Sequence, residues 1–202
     1  MKAGGSDDSD ETLAARAAAG DTPAFETLVH RYQSRVFALT CRLIGSESDA
    51  ADVLQDTFLQ AYRHVGSFRG EARFGTWLYR IATNAALMHR RARARRPADP
   101  LDAYLPEFDE AGFHRATPEE LVVTNRVEEL LDRQTLADRA RTAIDRLPDA
   151  CRAAFVLRDL EDLSTADVAE VLGIEPATVR QRVHRARLLL RGYLNALAGG
   201  RA

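Results

Sequence analysis

The chain has 202 residues, 46% hydrophobic and 29% charged, with 28 Lys and Arg against 30 Asp and Glu, which suffices for one ordinary core or two small ones. No apolar run approaches the roughly 20 residues of a membrane span, and the acidic start MKAGGSDDSDE is unlike a signal peptide, so a cytoplasmic protein with no membrane insertion of its own is expected. Cys41 and Cys151 lie far apart without CxxC or His at ligand spacing; both are expected to be small buried hydrophobes, with no disulfide scaffold, metal site or cofactor.

Taken in chain order, nearly every segment reads as helix: apolar residues recur at about 3.6, Ala, Leu and Arg abound, and no alternating β-branched run occurs. The expected fold is all-α, two small helical domains joined by a flexible acidic linker, each domain burying its own apolar stripe. Residues 1–22 comprise a mobile tail, Met1 to Asp10, and a first helix. A helical block follows over residues 23–96. Within it, Ser46 and Asp49 have capping-box spacing ahead of ADVLQDTFLQAYRHV. On this helix Leu54, Phe58, Ala61 and Val65 are expected to be buried, while Asp49, Asp52, Asp56 and Gln60 form an acidic face bordered by Leu59. An acidic face is usually just solvated, but beside a basic surface it suggests a protein partner.

The segment Gly66 to Gly75 breaks the periodicity, and TWLYRIATNAALMHRR resumes it with Leu78, Ile81, Ala82 and Ala85 as the expected core stripe. From Arg63 to Arg96 nine Arg face the single acid Glu71. Phe68, Phe74, Trp77 and Tyr79 interleave with Arg69, Arg73 and Arg80, a pattern suited to single-stranded nucleic acid, where each base offers a face to stack on and each nucleotide a phosphate. Trp77, Arg80, Asn84 and Arg91 share an edge, and Asn84 can hydrogen-bond a base. The plainer reading makes the aromatics core and the arginines a solubilising surface; Asn84 and the Arg90 to Arg96 run fit it poorly.

Residues 97–134 read as the linker: RPADPLDAYLPEFDEAGFHRATPEE holds four of the seven Pro, and from Pro97 to Ala137 ten acids face Arg115, Arg126 and Arg133. A second helical block covers 135–197. In LSTADVAEVLGIEPATVRQRVHRARLLL, Ser164 and Asp167 have capping-box spacing, Gly173 suits a turn and Pro176 suits the start of a second helix, a helix-turn-helix signature. Val168, Leu172 and Ile174 supply buried contacts around small Ala169, and Val179, Val183, Ala186 and Leu190 form the inward stripe of the second helix. Thr178, Arg180, Gln181, His184 and Arg185 lie beside or opposite that stripe, donors expected to reach base edges in a major groove, while the flanking Arg182 and Arg187 are expected to hold phosphates. Five Arg and no acid occur from Thr178 to Arg191, so two basic surfaces flank an acidic connector, as expected of a polyanion gripped at two places.

These residues together resemble the extracytoplasmic-function sigma factors of the sigma-70 family. The stretch from FETLVHRYQSRVF to NAALMHRRAR resembles region 2, and IDRLPDACRAAFVLRDLEDLSTADVAEVLGIEPATVRQRVHRARLLLRGYL resembles region 4. The resemblance implies an alternative sigma factor, not an enzyme, with core RNA polymerase, promoter DNA and an anti-sigma factor as partners. It assigns Asp49, Asp52, Gln55, Asp56 and Leu59 to polymerase binding. It assigns Arg69, Phe74, Trp77, Arg80, Asn84, Arg90 and Arg91 to opening and reading the downstream promoter element, with a base turned out of the stack. Thr178, Arg180, Gln181, Arg182, His184, Arg185 and Arg187 would bind the upstream element, and the linker would thread the polymerase channels. Two other readings compete. A polymerase-independent helix-turn-helix regulator leaves the first block without a role; against a metal-dependent nucleic-acid enzyme, the sequence holds no HExxH, no P-loop and no tight carboxylate cluster beside the basic surfaces.

Overall fold

The computed structural model describes residues 8–70, 72–93 and 133–199, and every regular element among them is helical, as the periodicity predicts. The chain divides into two compact units whose main bodies are the helices α1–α4 and α5–α8. The expected linker over 97–134 lies outside the described residues save for its last two positions.

The first unit begins with α1 (Asp10–Ala18), capped by Ser9, whose hydroxyl accepts from the Thr12 N–H at 3.2 Å. The tail expected to reach Asp10 is therefore anchored from Asp8 onward. Arg16 bonds the carboxylates of Asp8 and Asp21, while Arg31 bonds Asp10 at 2.7 Å and the Asp8 carbonyl at 2.9 Å. Buried Tyr32 donates its hydroxyl to the same Asp10, and burial together with that carboxylate pushes its ionisation well above the ordinary value. The acidic start of the helix is thus held by α2 (Thr22–Ile44), which begins at the Asp21 cap and stops at Gly45, whose φ of 81° is left-handed.

The helix α3 (Glu47–His64) starts at Ser46, which accepts from the Asp49 N–H as the capping box predicts. Its buried residues are Ala50, Val53, Thr57 and Ala61, whereas Leu54 and Phe58 are half-buried. The expected stripe is off by one residue at those two places, because α3 packs on α2 through small side chains. Thr57 enters the core with its hydroxyl satisfied by the Val53 carbonyl at 2.7 Å. A short 3-10 turn (Val65–Ser67) and a loop lead to α4 (Phe74–Arg93), which starts two residues before the expected Thr76. Its core stripe is Leu78, Tyr79, Ala82, Thr83 and Ala86, with the expected Ile81 and Ala85 half-buried.

In the second unit α5 (Arg133–Asp145) is followed by α6 (Asp149–Phe155), a π-helical turn (Val156–Leu160), α7 (Thr165–Leu172) and α8 (Pro176–Gly199). Leu147, Cys151, Ala186 and Leu189 form one cluster of its core, with Phe155, Leu190 and Tyr193 against them. Cys151 is buried and its thiol pushed up by that burial, whereas Cys41 is half-buried. Among the described residues the largest fully buried side chain is that of Arg152, 1% exposed. Its Nε donates to the Ile144 carbonyl at 2.9 Å, and its terminal nitrogen donates to the carbonyls of Asp145 and, at 3.0 Å, Leu147. A cation here meets the negative end of α5 and satisfies carbonyls that the helix end leaves open.

Removing this fork strands those carbonyls and opens a cavity. Arg152→Met should destabilise the second unit by about 2 to 4 kcal/mol. Lys should not restore it, since one ammonium cannot span the three carbonyls. Amide exchange should accelerate across α5, α6 and α8 and stay unchanged in α1–α4; equal acceleration in both units would contradict this local role.

Candidate nucleic-acid interface

In the first unit the loop before α4 builds an aromatic cluster. Phe74 sits at its base, 1% exposed, with ring centroids 5.5 Å from Tyr32, 5.7 Å from Phe68 and 5.5 Å from Trp77. Phe68 and Trp77, 5.4 Å apart, are half-buried and form the rim. Gly75 keeps the base closed, because a Cβ there would lie 3.0 Å from the Tyr32 hydroxyl. Tyr79, read as a stacking candidate, is core. Phe74 needs the same correction. A ring covered on every side by its neighbours cannot meet a base, and its contribution is to support Trp77 from below.

Around that rim Arg69, Arg73, Arg80, Asn84 and Arg91 are exposed, and Arg90 is half-buried. The 20 residues of α4 include no acid, so the surface offers donors and cations with nothing on its own helix to neutralise them. Arg95 and Arg96, part of the expected basic run, lie outside the described residues.

The outer face of α3 differs. Asp52, Gln55, Asp56 and Leu59 are exposed at helical spacing, whereas Asp49 is half-buried at the cap. Tyr62, which the sequence reading passed over, continues the strip three residues past Leu59. It is 48% exposed and meets Phe25 edge-on at 5.1 Å. Its place one turn after an exposed Leu was the available signal.

In the second unit the capping box is reciprocal: the Ser164 hydroxyl accepts from the Asp167 N–H at 3.1 Å, and the Asp167 carboxylate accepts from the Ser164 N–H at 3.3 Å and from its hydroxyl at 2.6 Å. The turn after α7 passes through Gly173 at φ +63°, with the Ile174 N–H bonded to the Ala169 carbonyl at 3.0 Å, and α8 opens on Pro176. Val168 and Ala169 are buried as expected, joined by Val171, while Leu172 and Ile174 are half-buried. Along α8 the inward stripe is Val179, Val183, Ala186 and Leu189, one residue before the expected Leu190. Arg180, Gln181, His184 and Arg185 are exposed together; Thr178 and Arg182 are half-buried.

Arg187 departs from its expected role. Its Nε and terminal nitrogen both bond the Asp159 carboxylate at 2.8 Å, a bidentate pair that raises the guanidinium pKa and ties α8 to the π turn. A phosphate would have to compete with that carboxylate. Neither this pair nor the Arg152 fork follows from helical spacing: Asp159 lies 28 residues before Arg187, and Arg152 reaches back across the turn between α5 and α6 to main-chain carbonyls.

Among the described residues no helix is long and apolar enough to cross a membrane, and no group of three or more His, Cys, Asp or Glu is placed to hold a metal ion. The chain matches the family model of Sigma-70 region 2 over residues 28–96 and that of Sigma-70, region 4 over residues 137–190. It is similar to the RNA polymerase sigma-H factor of Pseudomonas aeruginosa, 38% identical over 182 residues that cover 88% of this chain and 90% of the relative. It is also similar to the ECF RNA polymerase sigma-E factor of Haemophilus influenzae, 38% identical over 194 residues, 93% of this chain and 96% of the relative. Among solved structures, CnrH in complex with the cytosolic domain of CnrY is 30% identical and matches 94% of this chain and 99% of its own with a TM-score of 0.65.

The two aromatics on α4 should separate under substitution. Phe74→Ala should destabilise the first unit by roughly 3 to 5 kcal/mol, as for other fully buried rings. Trp77→Ala, at the open rim, should leave the unfolding midpoint nearer the parent and change nucleic-acid binding instead. Denaturant titrations of both variants check this, and equal losses of stability would place Trp77 in the core.

Proposed function

Since the chain belongs to the extracytoplasmic-function RNA polymerase sigma factors of the sigma-70 family, we propose a division of its surfaces among the partners of an initiation factor. It is an alternative sigma factor that binds core RNA polymerase and directs it to promoters; bond formation belongs to the polymerase. The strip Asp52, Gln55, Asp56 and Leu59 on α3 docks on the polymerase. The rim of Trp77 with Arg69, Arg80, Asn84 and Arg91 takes the downstream promoter element and holds its strands apart. Arg180, Gln181, His184 and Arg185 on α8 read the upstream element in the major groove. Residues 23–96 and 135–197 are the two working domains, 97–134 is their connector, and the factor works in the cytoplasm. An anti-sigma factor that covers these faces keeps it inactive, a reading supported by CnrH having been solved with a second protein, the cytosolic domain of CnrY.

The observation that carries this reading is the opposite character of the α3 and α4 surfaces within one unit, acidic and apolar on one, basic and aromatic on the other. A factor that grips only duplex DNA has no use for the first. Run-off transcription with purified core polymerase on genomic fragments tests it: discrete transcripts that require the chain are expected. Sequence-specific duplex binding without any effect on polymerase would instead favour a polymerase-independent regulator.

Replacing Asp52 and Asp56 together by Arg reverses the charge of an exposed strip without touching the core. Affinity for core polymerase should fall at least about tenfold, as expected when a rim of like charge opposes its partner, with the circular dichroism spectrum unchanged. Undiminished competition for core would remove α3 from the polymerase interface.

On α8 two exposed arginines should behave differently. Arg185→Ala should flatten the preference at one or two base pairs of the upstream element, a loss of about 1 to 3 kcal/mol for the correct base. Arg187→Ala should keep every preference and most of the salt dependence, because its partner is Asp159, and should instead lower the stability of the second unit. Binding of a variant library of the upstream element at several salt concentrations separates the two; a salt slope reduced by about one unit in Arg187→Ala would make it a phosphate contact after all.

A further inference from the structure

Arg80, Asn84, Met88 and Arg91 recur along α4 at steps of four, four and three, and all are exposed. They make one outward stripe, opposite the core residues Leu78, Tyr79, Ala82 and Ala86. Three of the four are hydrogen-bond donors suited to nucleic acid. Met88 is not, yet it is 68% exposed, the most open of the large hydrophobic side chains among the described residues. Packing within the helix does not require it there, and an acid-free helix carrying Arg80 and Arg91 on that stripe presents a positive field to whatever covers it. A polyanion with an apolar group at its reading edge matches both properties. Of the four DNA bases only thymine carries such a group, the C5-methyl, and it stays accessible when the strands separate.

We propose that Met88 is a specificity-determining residue that packs its thioether on the methyl group of a thymine within two nucleotides of the base Asn84 meets. The inference rests on the assignment of α4 to the downstream element and adds the chemistry of one position to it. Four helical residues advance about 6 Å, on the order of one to two nucleotides of a separated strand, so both side chains reach neighbouring bases from one docked helix. The unbranched, polarisable side chain suits an apolar contact whose exact angle varies with DNA shape. Arg80 and Arg91, on either side along the stripe, hold the backbone while Met88 discriminates.

The test uses holoenzyme reconstituted from the full chain and core polymerase, on a promoter fragment located by run-off transcription. Each thymine in and around the downstream element is replaced in turn by deoxyuridine, which lacks only the methyl. One such replacement should weaken the parent holoenzyme about three- to fivefold, the scale of one buried methyl group. Met88→Ala should lose that sensitivity while binding the thymine fragment weaker by the same factor, and Met88→Leu should retain most of it. The same deoxyuridine penalties in parent and Met88→Ala, or none in the parent, would overturn the proposal. So would a Met88→Ala variant impaired only in binding core polymerase, which would mean that a protein covers this face. A parent chain that supports no run-off transcript sinks the sigma-factor reading itself, and that result is visible before any deoxyuridine fragment is made.

Discussion

Taking a guanidinium out of water is tolerable only when its donors are met, and at Arg152 they are met by main-chain carbonyls at the end of α5 and in the loop after it. That contact does more than satisfy a charge. It fixes where α5 stops relative to α6, and α6 is the helix on which α8 lies. The outward face of α8 therefore has its angle set from inside the unit, by a cation that never reaches the surface. Arg187 acts at the same level, tying the middle of α8 to Asp159 on the π turn.

The arginines of this chain accordingly fall into two populations. Arg16, Arg31, Arg152 and Arg187 hold the fold together through carboxylates or carbonyls. Arg69, Arg73, Arg80, Arg91, Arg180 and Arg185 stand on open surfaces of helices or their approach loops. Composition alone sums both kinds with the acids to a net charge of −2, which conceals a basic surface on each unit. The first unit places its basic surface over an aromatic floor, and the second places its own at the start of a rigid helix. A ring cluster suits separated strands and a helix face suits the major groove, so the two basic surfaces differ in shape as well as in setting.

Much of this was legible in the sequence where local rules govern. The capping boxes at Ser46 and Ser164, the turn at Gly173, the start of α8 at Pro176 and its stripe of Val179, Val183 and Ala186 all depend on residues a few positions apart. What escaped depends on distance in space. Phe74 has the company of a stacking residue but is enclosed because Tyr32 arrives from another helix. Leu54 and Phe58 fall on the expected stripe by their spacing, yet the seam takes the smaller Ala50, Val53 and Thr57. The anchoring of Asp8 and Asp10 could not be foreseen from a Gly- and Ser-rich beginning, since its partners Arg31 and Tyr32 lie a helix away.

The turn at Gly173 shows how differently two kinds of constraint bear on descent. A side chain there would meet nothing within 4 Å, so neither crowding nor a lost contact stands in its way. The only barrier is the left-handed backbone, about 1 to 2 kcal/mol for most residues and less for Asn. A lineage that drifts at this position should therefore pass through Asn and return, trading a modest, calculable handicap that other substitutions can offset. At Gly75 the obstacle is the Tyr32 hydroxyl 3.0 Å away, and a new Cβ there requires that ring, on another helix, to give by a few tenths of an ångström. Two glycines of equal size are thus open to quite different histories, one answering to its own backbone alone and the other to how far a neighbouring ring yields.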